Sequence, residues 1–96
     1  MLVLITYDIS TESTGGRKRL SKIAKECTNY GQRVQNSVFE CILDYSQALM
    51  LKKKLVSIMD LSVDSLRLYY LGNKYDNKVE HFGAKATYNA EGPLIV

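Results

Sequence analysis

The stretch Leu2-Val3-Leu4-Ile5-Thr6-Tyr7-Asp8 (residues 2–8) decides how the rest of the chain is read. Its apolar side chains are continuous rather than alternating, the pattern of a strand buried on both faces and therefore central in its sheet. The run then meets a carboxylate. A strand leaving a core usually ends in glycine, asparagine or a cap. Asp8 is thus a turn cap, a partner for Arg17, or the start of a chemical site, and residue types alone leave these open.

Beyond Asp8, residues 9–16 are rich in serine, threonine and glycine and read as a loop, with Ser13 or Thr14 as the helix N-cap. Residues 17–30 carry Leu20, Ile23, Ala24 and Cys27 at i, i+3, i+4 and i+7, the apolar stripe of a helix, and Gly31 stops it. In residues 33–43, Phe39, Cys41 and Leu43 share one face and Val38, Glu40 and Ile42 the other. Either two short strands turn near Asn36-Ser37 or one long strand is kinked. Ser46 is expected to cap a second helix to about Asp60, with Ala48, Leu51, Leu55, Ile58 and Met59 inward and Lys52, Lys53 and Lys54 largely outward. The last clear strand is residues 66–71, where Leu66, Leu68 and Tyr70 alternate with Arg67, Tyr69 and Leu71.

Strand, helix, strand, strand, helix, strand predicts an α+β fold, the ferredoxin-like βαββαβ sandwich: an antiparallel sheet with both helices on one face. The other face must be polar or covered by a partner. The expected division is a domain over residues 1–72 and a tail over 73–96 that ends in Pro93-Leu94-Ile95-Val96. Within the tail, Lys78-Val79-Glu80-His81-Phe82 alternates and suits an edge strand added to a neighbouring subunit. Exchange of that strand in a homodimer accounts for both the bare face and the apolar tail.

The 96 residues are enough for one domain with its own core, and 46% apolar with 24% charged is ordinary for a globular protein. The aliphatic run at residues 1–5 is too short to span a membrane, which predicts a cytoplasmic protein with no membrane partner. Cys27 and Cys41 form no C-x-x-C pair and have no histidine near them, so buried free thiols are expected. The net charge of +3 is mild, but Arg17, Lys18, Arg19, Lys22 and Lys25 fall together with no acid among them. A solvated helix face and a phosphate-facing footprint both fit that cluster.

Nucleophilic triads find no support: His81 is the one histidine, and Gly15-Gly16 is a helix entry rather than a phosphate loop. Asp8 stands out by location. A lone carboxylate is a poor magnesium site, because this hard ion takes several oxygens. Two copies of Asp8 facing each other across a dimer, completed by water and backbone carbonyls, make a better one for Mg2+ or another divalent cation such as Mn2+. Such an ion activates water and stabilises charge on a phosphoryl group, and Arg17 and Arg19 in the following helix are suited to a phosphate.

Three elements in order carry a resemblance: the aliphatic strand ending in Tyr7-Asp8-Ile9, the Arg17-Lys18-Arg19-Leu20 helix entry, and Arg33-Val34-Gln35-Asn36-Ser37-Val38-Phe39-Glu40. Together they resemble the small CRISPR-associated endonuclease of the spacer-acquisition pair, the partner of the CRISPR integrase. The resemblance implies a ferredoxin-like homodimer with a C-terminal strand added to the partner's sheet, and magnesium held at Asp8 between subunits. It implies cleavage of single-stranded RNA or double-stranded DNA and a place in the complex that inserts new spacers for antiviral defence. It assigns Asp8 and Tyr7 to catalysis, Asp8 to the metal, and Arg17, Arg19, Arg33, Ser37 and Phe39 to nucleic acid. Tyr7 then either orients the site or packs beneath it, and Phe39 either stacks on a base or belongs to the core. Arg33 is expected at the far end of a strand parallel to the first. A non-catalytic dimeric scaffold that bridges DNA for the integrase is the alternative with the same surface.

Overall fold

In a computed structural model the described residues are 1–71 and 78–84. The elements follow as β1 (Leu2–Asp8), α1 (Gly16–Tyr30), β2 (Gly31–Gln35), β3 (Val38–Ile42), α2 (Tyr45–Ile58), β4 (Ser65–Tyr70) and β5 (Lys78–Gly83). The strands make one sheet in the order β2-β3-β1-β4-β5, each neighbouring pair antiparallel. β1 is central, and its first four strands and two helices are the ferredoxin-like sandwich. β5 is the added C-terminal edge strand. In this single chain it lies on β4 of its own sheet, with Leu66 opposite Phe82 and Arg67 opposite His81. Residues 72–77 and the apolar end of the tail lie outside the described residues.

Both helices cover one face. Ile23 and Cys27 of α1 and Ala48, Leu51 and Leu55 of α2 pack on Val3, Ile5, Tyr7, Phe39, Cys41, Leu66, Leu68 and Tyr70. The expectation that β1 is buried on both faces needs correction. Val3, Ile5 and Tyr7 are buried under the helices, while Leu2, Leu4 and Thr6 are partly exposed on the open face. Leu2 and Leu4 make the open face of β1 a second surface suited to cover rather than the floor of a second helical layer.

Residues 33–43 are two strands turning at Asn36-Ser37, with a register shift between Arg33 and Gln35. Both helix caps differ from expectation. Gly15, at φ 79, occupies the N-cap of α1 in the left-handed region, so neither Ser13 nor Thr14 serves there. Asp44, two positions before Ser46, caps α2: its carboxylate accepts from the Gln47 amide at 2.7 Å while the Gln47 side chain accepts from the Asp44 amide at 3.0 Å. This reciprocal box leaves Ser46 inside the helix. Gly31 passes from α1 into β2 in extended conformation, and a Cβ there would strike the Glu40 carbonyl and the Cys41 Sγ.

Strand register sets the open face out in rows. Ile42 and Leu2 are opposite one another at one end, with Leu71 beside them donating its N–H to the Leu2 carbonyl at 2.8 Å. Glu40, Leu4, Tyr69 and Val79 form the next row, and Val38, Thr6, Arg67 and His81 the one after; Asp8 and Ser65 close the far end. Ile42 is 74% exposed on this face. Among the described residues no helix is long and apolar enough to cross a membrane.

Candidate metal and nucleic-acid site

Asp8 is the exposed last residue of β1, opposite Ser65. Alternation along the strand places it on the open face with Leu2, Leu4 and Thr6. Tyr7 therefore points the other way. Its ring is 6% exposed and stacks on Phe39, with centroids 6.3 Å apart, and its hydroxyl is buried without a hydrogen-bond partner. Burial raises the Tyr7 pKa above its usual 10.0, reinforced by the Cys27 thiol and opposed by the Arg33 guanidinium, which comes near without reaching hydrogen-bond geometry. Tyr7 packs beneath the site, and its hydroxyl is not presented beside the Asp8 carboxylate.

Phe39 is fully buried, which decides between core and base-stacking in favour of core. The Arg33 guanidinium lies 5.2 Å over its ring, capping the core at the edge of the sheet. Arg33 sits in the middle of β2, level with Phe39 and Ile5, on the helix-covered side. It is not at the strand's far end, and the sheet separates it from Asp8. Ser37 lies in the turn at the same end of the sheet as Asp8, where its carbonyl accepts the Tyr7 N–H at 3.1 Å.

Arg17, Lys18, Lys22 and Lys25 are exposed along α1. Arg19 is different. Its Nε and Nη2 donate to the Asp64 carboxylate at 2.8 and 3.2 Å, its Nη1 to the Thr14 carbonyl at 2.9 Å, and its Nη2 also to the Ser13 hydroxyl at 2.7 Å. Asp64 is fully buried and also accepts the Ser10 and Asp60 amides, each at 2.9 Å. Burial pushes its pKa up, but the Arg19 guanidinium and the two amides outweigh this and hold it below 3.8. Gly16 lets the loop close on the helix, since a Cβ there would strike the Ser10 carbonyl. Sequence reading did not single out Asp64, whose partner Arg19 lies 45 positions away. The available signal was a carboxylate at the mouth of a buried strand.

Two further polar groups lie on or under β5. On the open face Arg67 Nε donates to His81 Nδ1 at 3.1 Å, which puts the His81 proton on Nε2, buried without a partner. Under the helices Glu80 accepts from Tyr70 at 2.7 Å and from Lys52 at 3.2 Å, tying β5 to β4 and α2. Lys52 is thus engaged, whereas Lys53 and Lys54 are exposed.

An exposed carboxylate fits a hard divalent cation by donor type. One chain does not complete the set: among the described residues no group of three or more histidine, cysteine or acidic side chains is placed to hold a metal.

Residues 1–79 match the family described as CRISPR associated protein Cas2. The chain belongs to the Cas2 family. A CRISPR-associated endonuclease Cas2 of Halalkalibacterium halodurans is 63% identical over 95 residues, 99% of either chain. A CRISPR-associated endoribonuclease Cas2 of Nitratidesulfovibrio vulgaris is 59% identical, covering 100% of this chain and 94% of its own. The crystal structure of Streptococcus pyogenes Cas2 superposes with a TM-score of 0.69 at 53% identity, over 75% of this chain and 87% of that one. A hypothetical protein from Thermus thermophilus superposes with a TM-score of 0.65 at 36% identity, over 75% and 82%. The resemblance carried by Tyr7-Asp8-Ile9 and the two basic segments therefore names the right family.

Proposed function

We propose that this chain is a divalent-metal-dependent endonuclease that hydrolyses phosphodiester bonds during acquisition of new CRISPR spacers. It acts as a homodimer, in the cytoplasm, with the CRISPR integrase as partner. The observation that carries this reading is the place of Asp8: an exposed carboxylate ending the central strand on the face the helices leave open. Relatives named endonuclease and endoribonuclease support the chemistry, and the reading takes double-stranded DNA or single-stranded RNA as substrate.

Two copies packed open face to open face about a two-fold axis along β1 stack like rows on like. The apolar end, Ile42 with Leu2 and Leu71, is then covered, and burial of one large aliphatic side chain contributes about 2 kcal/mol. The same axis brings the two Asp8 carboxylates to one end of the interface. A Mg2+ or Mn2+ ion, when bound there, supplies charge stabilisation at the phosphoryl oxygens and a more acidic water. Arg17, exposed in the first turn of α1, positions a phosphate. Arg33, Ser37 and Phe39 serve nucleic acid less directly: Arg33 from the helix side, Ser37 and Phe39 by holding the turn and the floor. Exchange of β5 between protomers preserves its contacts, because Glu80 meets an equivalent Tyr70 and Lys52 on either sheet.

The scaffold reading draws on one observation, the lack of a metal-holding cluster of histidine, cysteine or acidic side chains among the described residues. Calorimetry with Mn2+ separates the two. The nuclease reading expects one ion per two chains in the wild type and none in Asp8→Asn. Binding that survives Asp8→Asn, or no binding in either, contradicts it.

A further inference from the structure

We infer that Arg19 is a positioning residue rather than a phosphate contact: with Asp64 it fixes the backbone that leaves Asp8 for the first helix. All but one of its guanidinium N–H groups are already used, on Asp64, Thr14 and Ser13. Its side chain is 14% exposed and that of Asp64 not at all. A phosphate drawing the guanidinium outward would leave a fully buried carboxylate unpaired, one of the costliest events in a protein interior.

The carboxylate is the node of the arrangement. Through the Ser10 amide it holds the residue two positions beyond Asp8; through Asp60 it holds the start of the α2–β4 connection; through Arg19 it holds α1. Its own carbonyl accepts the Ala84 amide at 2.9 Å, so the end of β5 is fastened to the same point. Arg19 meanwhile grips the loop at Ser13 and Thr14. The basic segment at the start of α1 thereby divides by function: Arg17, Lys18, Lys22 and Lys25 face solvent, and Arg19 alone turns inward to an acid.

The consequence for cleavage rests on the Asp8 reading above, whereas the positioning role is read independently of it. Arg19→Gln, Arg19→Lys, Asp64→Asn and, for comparison, Arg17→Gln are measured in two assays without divalent metal. The first is the salt dependence of affinity for a labelled duplex and a labelled RNA. Arg17→Gln is expected to lower the slope of log affinity against log salt by about one unit, the signature of one lost phosphate contact. Arg19→Gln is expected to keep the wild-type slope. The second assay is amide hydrogen exchange. Arg19→Gln and Asp64→Asn are expected to speed exchange across residues 10–14 on the order of tenfold, the effect of losing a charged hydrogen bond, and Arg19→Lys restores part of that protection. Where the wild type cleaves, Arg19→Gln lowers kcat and leaves KM. A slope lowered by about one unit in Arg19→Gln, or unchanged exchange at residues 10–14, overturns the inference. A wild type that cleaves nothing defeats the Asp8 reading and leaves both assays to decide this one.

Discussion

Tyr7 and Asp8 are adjacent in sequence and serve opposite faces of the sheet: the Tyr7 ring lies in the core against Phe39, and Asp8 stands exposed on the open side. One strand end thus carries a core residue and an exposed carboxylate back to back. Their substitutions should have separable effects.

Tyr7→Phe removes only a hydroxyl that is buried without a partner. Stability is expected to hold or to rise by about 1 kcal/mol, since an unmet polar group is lost, and cleavage is expected to match wild type. Tyr7→Ala opens a cavity and is expected to cost about 3–5 kcal/mol. Denaturant unfolding and a cleavage assay check both, and loss of cleavage in Tyr7→Phe would return the hydroxyl to the chemistry.

Asp64 sets an acid limit. Its carboxyl is held below 3.8 in the folded chain, so as pH falls the unfolded chain takes up the proton first. Its contribution is complete above pH 3.8 and is lost as pH drops through the folded value. Asp64→Ala, which leaves Arg19 and the Ser10 and Asp60 amides without their acceptor, is expected to destabilise the fold at neutral pH and to flatten the stability profile in acid, with unfolding midpoints across pH as the measurement.

Burial pushes the Cys27 thiol up to about 12 and the Cys41 thiol up to about 11. Neither presents a thiolate at neutral pH. A thiol reagent at pH 8 is expected to label both only as fast as the chain unfolds. Labelling much faster than amide exchange of the sheet would contradict their place in the core.

Ile42→Lys puts a charge in the apolar row of the open face without touching the core. It is expected to weaken the proposed dimer in analytical ultracentrifugation while leaving the far-ultraviolet spectrum intact. Deleting residues 77–96 tests the exchanged strand separately: a truncated chain that stays dimeric at low concentration speaks against exchange.

Elements with strong periodicity were legible from the sequence. The stripe Leu20, Ile23, Ala24 and Cys27 gave α1, and the alternation through Phe39 and Cys41 gave β3, because burial on one face imposes a period. Caps were misread because several small polar residues compete for the same orphan amides. Asp44 prevailed over Ser46 through its reciprocal bond with Gln47, which only the geometry reveals. Asp8 was legible as a strand-end carboxylate. The inward turn of Arg19 was hidden by its basic neighbours, and its acid sits in a connection 45 residues on. Face assignment at Arg33 and Tyr7 depended on register and strand ends, which period alone does not locate.

The proposed nuclease depends on hydrolysis at Asp8. The most direct measurement compares purified wild type and Asp8→Asn, matched for dimer content and oligonucleotide affinity, on double-stranded DNA and single-stranded RNA with Mg2+ or Mn2+ and with chelator. The wild type is expected to cleave only with the metal, and Asp8→Asn not at all. Cleavage by Asp8→Asn at the wild-type rate would contradict this expectation.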